Sequence, residues 1–211
     1  MKNRLVSWRK RLGAVLLAAC LGSTGAHAVI YIFDSSNNDE SSGDVSGFST
    51  LAQGFSVTGG PYSLAAVTVY LQGTGGGTFG VSIWTEESSL PEGKIADLQA
   101  SSSPTVGANE YLPPAGGVTL QANTTYFIVA ASTAADVPYE WEGGALPISP
   151  GPGTPTSIAV STDGGSSWAA YSGNAAIMSM QVSVVPEPGE WALLGGGLCL
   201  GFALIRRRSR K

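Results

Sequence analysis

The chain has 211 residues, a formal net charge of −4, one histidine and two cysteines. Five basic residues lie before residue 12 and five after residue 205, so between Val29 and Ile205 one lysine, Lys94, stands against all fifteen acids, leaving that region near −14. It cannot neutralise phosphates, which excludes nucleic-acid binding. Between Val29 and Val185 there is no histidine or cysteine, which excludes disulfides, His-ligated zinc and Ser-His-Asp or Cys-His catalysis.

In chain order, the first element is an export signal over residues 1–28. Lys2, Arg4, Arg9, Lys10 and Arg11 form a basic start, and Leu12 to Leu21 is an apolar run. Ala26-His27-Ala28 supplies small residues at both positions that a signal peptidase reads, so cleavage is expected after Ala28. Leu17-Ala18-Ala19-Cys20 gives a competing reading, a lipobox that would lipidate Cys20.

Residues 29–185 form the exported domain. At about 157 residues it is one domain by length. Val29 to Phe33 is predicted as a first strand and Asp34 to Gly47 as a polar loop. Leu51, Gln53, Phe55 and Val57 share one strand face, as do Ala65, Val67, Val69 and Leu71. Gly73 to Gly77 is a turn. Phe79, Val81 and Ile83 then point one way, and Gly80, Ser82 and Trp84 the other. Leu90 to Lys94, with its Pro and Gly, is predicted as a second turn. Ile95 to Ala100 and Val118 to Gln121 are weaker strands. Tyr126 to Ala131 is apolar on both faces and should be central. Tyr139 to Glu142 follows as a strand, and Pro147 to Pro155 as a loop. Met178, Met180, Val182 and Val184 alternate with polar residues in a final strand. Nine or ten short strands at this spacing predict an all-β fold, an antiparallel two-sheet sandwich of jelly-roll type.

The tail, residues 186–211, carries the most specific pattern. Val185-Pro186-Glu187-Pro188 precedes an uncharged apolar stretch, Trp191 to Ile205, and then Arg206-Arg207-Arg208-Ser209-Arg210-Lys211. Fifteen residues of helix are roughly 22 Å long, against a hydrocarbon core of about 30 Å. The stretch is thus a transmembrane helix suited to temporary anchoring. The arginines stop transfer and stay cytoplasmic, which places the preceding domain outside.

This tail resembles the PEP-CTERM sorting signal of exported proteins from exopolysaccharide-producing Gram-negative bacteria. The resemblance implies recognition by an exosortase-type membrane peptidase and cleavage near Pro186–Pro188. It also implies an inner-membrane intermediate, followed by delivery to the cell surface or extracellular matrix. An ordinary single-pass anchor is the plainer reading.

A second resemblance covers roughly Gly54 to Val185. It runs through Leu64-x-x-Val67-x-Val69-x-Leu71, Gly77-x-Phe79-x-Val81-x-Ile83-Trp84 and Leu90-Pro91-x-Gly93. It continues through Leu120-x-Ala122-x-Thr124-x-Tyr126-Phe127-Ile128-Val129-Ala130 and Tyr139-x-Trp141. This order is similar to choice-of-anchor domains of type R, which precede sorting tails. It implies export and a β-sandwich, and no reaction.

Several constellations compete with plain structural roles. Asp34, Asp39, Glu40 and Asp44, with Asn37 and Asn38, place hard oxygen ligands in one stretch, a candidate calcium site. No other cofactor is expected. Trp84, on the polar face of its strand, is a candidate sugar contact, and a half-buried sheet tryptophan is the plainer role. Ser161-x-Asp163-x-Gly165-x-x-Trp168 matches an Asp-box, a hairpin whose Asp caps turn amides over a packed aromatic. A sialidase reading of that motif fails because the exported domain has no arginine. Glu140 and Glu142 share a strand face with Trp141 opposite, and Glu86 follows Trp84.

The expected function is therefore an exported, non-catalytic matrix protein, structural, adhesive or associated with exopolysaccharide in a biofilm. The alternative is a glycosidase using Glu140, Glu142 or Glu86.

Overall fold

Short runs that alternate apolar with small or polar residues form strands throughout. The computed structural model describes residues 29–34, 41–45, 49–133, 138–144, 151–172, 175–176 and 178–184. The signal segment with Ala26 and Ala28 lies outside the described residues. So do Asp39, Glu40 and the tail from Val185 on, with Pro186, Glu187, Pro188, the 191–205 span and Arg206, Arg207 and Arg208. Among the described residues no helix is long and apolar enough to cross a membrane.

Fourteen strands are described. The first seven are β1 (Val29–Asp34), β2 (Ser41–Val45), β3 (Thr50–Val57), β4 (Tyr62–Gly73), β5 (Phe79–Glu87), β6 (Leu90–Ala100) and β7 (Gly107–Leu112). Then come β8 (Thr119–Leu120), β9 (Thr124–Ser132), β10 (Tyr139–Gly144), β11 (Gly153–Ser161), β12 (Ala169–Tyr171), β13 (Ala175–Ala176) and β14 (Met178–Val184). All described pairs are antiparallel, in the order β1-β14-β4-β7-β6-β5-β9-β3-β11-β12. β10 lies beside β4 and pairs with β2 and β13, while β8 also pairs with β4.

The protein is thus all-β, built on one antiparallel sheet that curls on itself. β6 makes the corner. Most of its length pairs with β5, while Gln99 and Ala100 pair with Leu112 and Tyr111 of β7. Between the two halves lies the core, with Phe55, Leu71, Ile83, Tyr111, Ile128, Trp141 and Met178 almost fully buried. Phe79 packs tilted against Tyr139 and Tyr111 at ring distances of 4.9 and 6.3 Å. The Tyr111 hydroxyl is pushed up to about 12 by burial and, secondarily, by Tyr139.

Expectation and structure agree on β1, on the inward face of β5, on the central place of β9 between β5 and β3, and on the buried Met178, Met180 and Val182 of β14, whereas Val184 at its end is exposed. They differ elsewhere. Residues 41–45, expected in a loop, form β2, because β10 offers a free ladder for them. Ala65 does not share the inner face. The register slips between Gln181 and Val182, which face Ala66 and Leu64. Ala65 is the extra residue of a bulge, so Leu64 is buried instead. The loop ending at Pro155 is cut short, since β11 begins at Gly153 and pairs with Val57. Lastly, β7 was not anticipated, although Tyr111 on it is a core residue.

Leu90 to Lys94 also belongs to a strand rather than a turn. The turn is two residues earlier, where Ser88 and Ser89 have φ of 54° and 65°. Positive φ at both central positions, between the paired Glu87 and Leu90, is the type I′ geometry that favours Asn-Gly. The double change Ser88→Asn and Ser89→Gly is therefore expected to stabilise the protein by about 1 kcal/mol. Urea denaturation checks it, and an unchanged or lower midpoint would count against this turn geometry.

Candidate functional site

The outward face of the β5–β9–β3–β11 half is not left to solvent. Cross-strand pairs place Trp84 beside Phe127, Phe127 beside Gly54, and Ala52 between Val129 and Ala159. Ala52, Phe127, Val129 and Ala159 are buried there, and Trp84, Leu90 and Trp168 pack against them. The face is covered because the loop between β11 and β12 folds back over it.

That loop is the Asp-box hairpin. Ser161 Oγ donates to Asp163 Oδ1 at 2.7 Å and accepts the Gly165 N–H at 2.8 Å. Asp163 Oδ1 accepts the Ser167 N–H at 2.8 Å, and Oδ2 accepts the Ser167 hydroxyl at 2.5 Å. These bonds hold the loop closed and set Trp168 against the sheet. Gly164 and Gly165 supply the positive φ of 73° and 92° that the tight return needs.

The Ser167 hydroxyl, then the Ser161 hydroxyl and the Ser167 amide, hold the Asp163 carboxyl at about 2, below its ordinary 3.8. A depressed carboxyl stabilises the fold when ionised. Its contribution is complete above about pH 4 and drains as the pH falls toward 2. The tryptophan signal of this face, followed by near-ultraviolet circular dichroism, should therefore hold through about pH 4 and titrate with a midpoint near 2, where the folded carboxyl takes its proton. In Asp163→Ala that step should disappear. Its persistence would place the titration on another group.

Trp84 and Trp168 meet edge to face, with centroids 5.9 Å apart and planes at 77°. Trp84 Nε1 donates to Ser82 Oγ at 2.8 Å, which fixes the indole along its own strand. Both rings are half-buried. Their exposed parts form a rigid aromatic ridge. Such a ridge can stack on the apolar face of a sugar ring, because two fixed indoles lose little freedom on contact. The sequence singled out Trp84 and the Asp-box separately. Their contact joins residues 84 apart in the chain, and no local pattern reports it.

Glu140 and Glu142 are not drawn to this ridge. Glu140 and Glu142 do share a face of β10, with Trp141 buried opposite. β10, however, lies beside β4 in the other half of the sheet. Glu86 accepts the Ser89 N–H and so caps the hairpin turn. Glu92 at the same hairpin is raised, chiefly by the neighbouring charge of Glu87 and then by a hydrogen bond with it. Of the candidate calcium ligands, Asp34 sits on β1 opposite Ser179, and Asp44 on β2 opposite Glu140. Among the described residues no group of three or more His, Cys, Asp or Glu is placed to hold a metal ion.

No protein-family model matches this chain, and no curated protein matches it.

Proposed function

We propose that this chain is an exported envelope protein, cut by signal peptidase after Ala28 and by an exosortase-type peptidase at Val185–Pro188, with a non-catalytic role in the exopolysaccharide matrix. The observation that carries this reading is the ordered tail: V-P-E-P, then an uncharged apolar span, then an arginine-rich end. Behind it stand the matching export signal and an acidic domain without histidine, cysteine or arginine. The finer architecture belongs to the same proposal: a two-sheet jelly roll of choice-of-anchor type, between a signal peptide and a membrane helix. The curled sheet with its core between two halves supports the layered part of it. Polysaccharide contact is assigned to the Trp84–Trp168 ridge, and calcium to the stretch from Asp34 to Asp44.

The test is intact mass of the protein from envelope and medium, in a producing strain with and without its exosortase-type peptidase. The expected species starts at Val29, ends near Pro186 and depends on the peptidase. A species that keeps Arg206 to Lys211, or carries lipid on Cys20, would refute sorting. For the matrix role, Trp84→Ala should weaken retention on exopolysaccharide about tenfold, since an aromatic contact is worth about 1 kcal/mol or slightly more. Release of new reducing ends by the wild type would instead favour a glycosidase.

A further inference from the structure

We infer that the end of the fold carrying Val29, Tyr31 and Val184 rests on the lipid surface while both terminal segments are attached, and that the two segments leave side by side from it. This deepens the sorting reading and rests on it.

β1 and β14 are antiparallel, with Val29 opposite Ser183. The first residue of one strand therefore ends beside the last residues of the other. Paired Cα atoms in such a ladder are about 5 Å apart. Seven residues separate Leu21, the end of the apolar run, from Val29, and six separate Val184 from Trp191. Fully extended, these straps reach at most about 25–29 Å. In the sequence, the two apolar runs are thus joined to neighbouring strand ends by stretches of nearly equal length. Held twice at one end, the domain has little freedom to turn over.

The side chains at that end suit this placement. Among the described residues seven large apolar side chains are exposed, and three sit here: Val29 at 55%, Tyr31 at 46% and Val184 at 49%. Scattered exposed apolar residues need no explanation, but here Val29 and Tyr31 on one face of the strand pair and Val184 on the other flank a double chain exit. Gln181 Nε2 donates to the Tyr31 hydroxyl at 3.2 Å, which holds the ring against β14. A tyrosine with an apolar body and a polar tip fits the headgroup layer. On this strand pair the described acid is Asp34, at the other end of β1 and roughly 16 Å away along the strand.

Charge selects the kind of surface. The acidic β5–β6 hairpin, with Glu86, Glu87 and Glu92, reaches toward the same end from the other half. That follows because residues 58–61 join Val57 to Tyr62, which pairs with Val184, while Val57 pairs with Thr124 and the adjacent Tyr126 region of β9 pairs with Thr85 at the end of β5. These acids repel an anionic surface, so the contact is made on zwitterionic headgroups. The opposite end is the turn after Gly73. From Tyr62 to Gly73 the strand climbs about 36 Å.

The experiment uses the full, uncleaved chain with Cys20→Ser and Cys199→Ser, bound to phosphatidylcholine vesicles that contain a lipid-borne energy acceptor. One fluorophore is placed through Ser183→Cys or through Gly76→Cys, where an added Cβ meets nothing within 4 Å. Transfer at position 183 should exceed that at position 76 by at least about threefold, given the height difference. Equal transfer at both would overturn the inference while leaving sorting intact. Val29→Ser with Tyr31→Ser should lower transfer at position 183 without reducing the bound fraction, and unchanged transfer there would refute the role of these side chains. A chain that fails to float with the vesicles would refute the sorting reading, and this inference with it.

Discussion

Trp141→Ala is expected to remove about 3–5 kcal/mol of stability, the usual loss for a fully buried tryptophan. Against a total of about 5–15 kcal/mol for a natural domain, that leaves a marginal fold. Trp141 is 1% exposed and lies opposite Leu71 of β4 and Gly43 of β2. It is the large apolar anchor of a strand that also carries β2 and β13. Its neighbours Glu140 and Glu142 are only half-buried, so they cannot replace it. The expected result is a urea midpoint shifted far down, with β10, β2 and β13 the first to exchange their amide hydrogens. A loss below about 1 kcal/mol, the range of ordinary surface changes, would mean that this indole does not fill the core.

The parts of the fold that were legible in the sequence are those where one face of a strand is buried and period two is unbroken. Phe79, Val81 and Ile83 against Gly80, Ser82 and Trp84 is such a case, and Met178, Met180 and Val182 are another, up to the exposed Val184. The continuous apolar run of β9 announced a strand buried on both faces. It could not announce that the outer cover is a hairpin some 35 residues downstream, because that is a tertiary fact. The bulge at Ala65 broke the phase of β4 silently, since alanine and leucine are both apolar and either could face inward.

The turn near Pro91 was misplaced for a different reason. Pro and Gly usually end strands, but here Pro91 sits beside irregularities in the β5 ladder, where a missing N–H costs little. At the candidate site, the Asp-box was legible because its serine, aspartate, glycine and tryptophan are all local. Its partnership with Trp84 was not. The adjacency of Val29 and Ser183 joins residues more than 150 positions apart, and only strand order reveals it.

Gly54→Val is the second large change expected, with a loss of about 3 kcal/mol, at the upper end for overpacking. A Cβ at Gly54 would stand 2.4 Å from Thr156 Oγ1, 2.9 Å from the Ser157 carbonyl and 3.0 Å from the Phe127 ring. Thr156 could rotate away, but the carbonyl is backbone and Phe127 is completely buried. Relief must come from β11, which already bulges between Pro155 and Ile158. Moving β11 strains the Ser157 hydroxyl bond to the Ser89 carbonyl and shifts Ser161, where the capped hairpin begins. The hairpin carries Trp168, so the damage should reach the aromatic ridge. Gly54→Val is thus expected to alter the Trp84–Trp168 exciton signal in near-ultraviolet circular dichroism as well as stability. Gly80→Val is the control: an added Cβ there meets nothing within 4 Å, on the same outer face and one strand beyond β9. If Gly80→Val perturbed the tryptophan signal and Gly54→Val did not, the packing path from β3 through β11 to the ridge would be wrong.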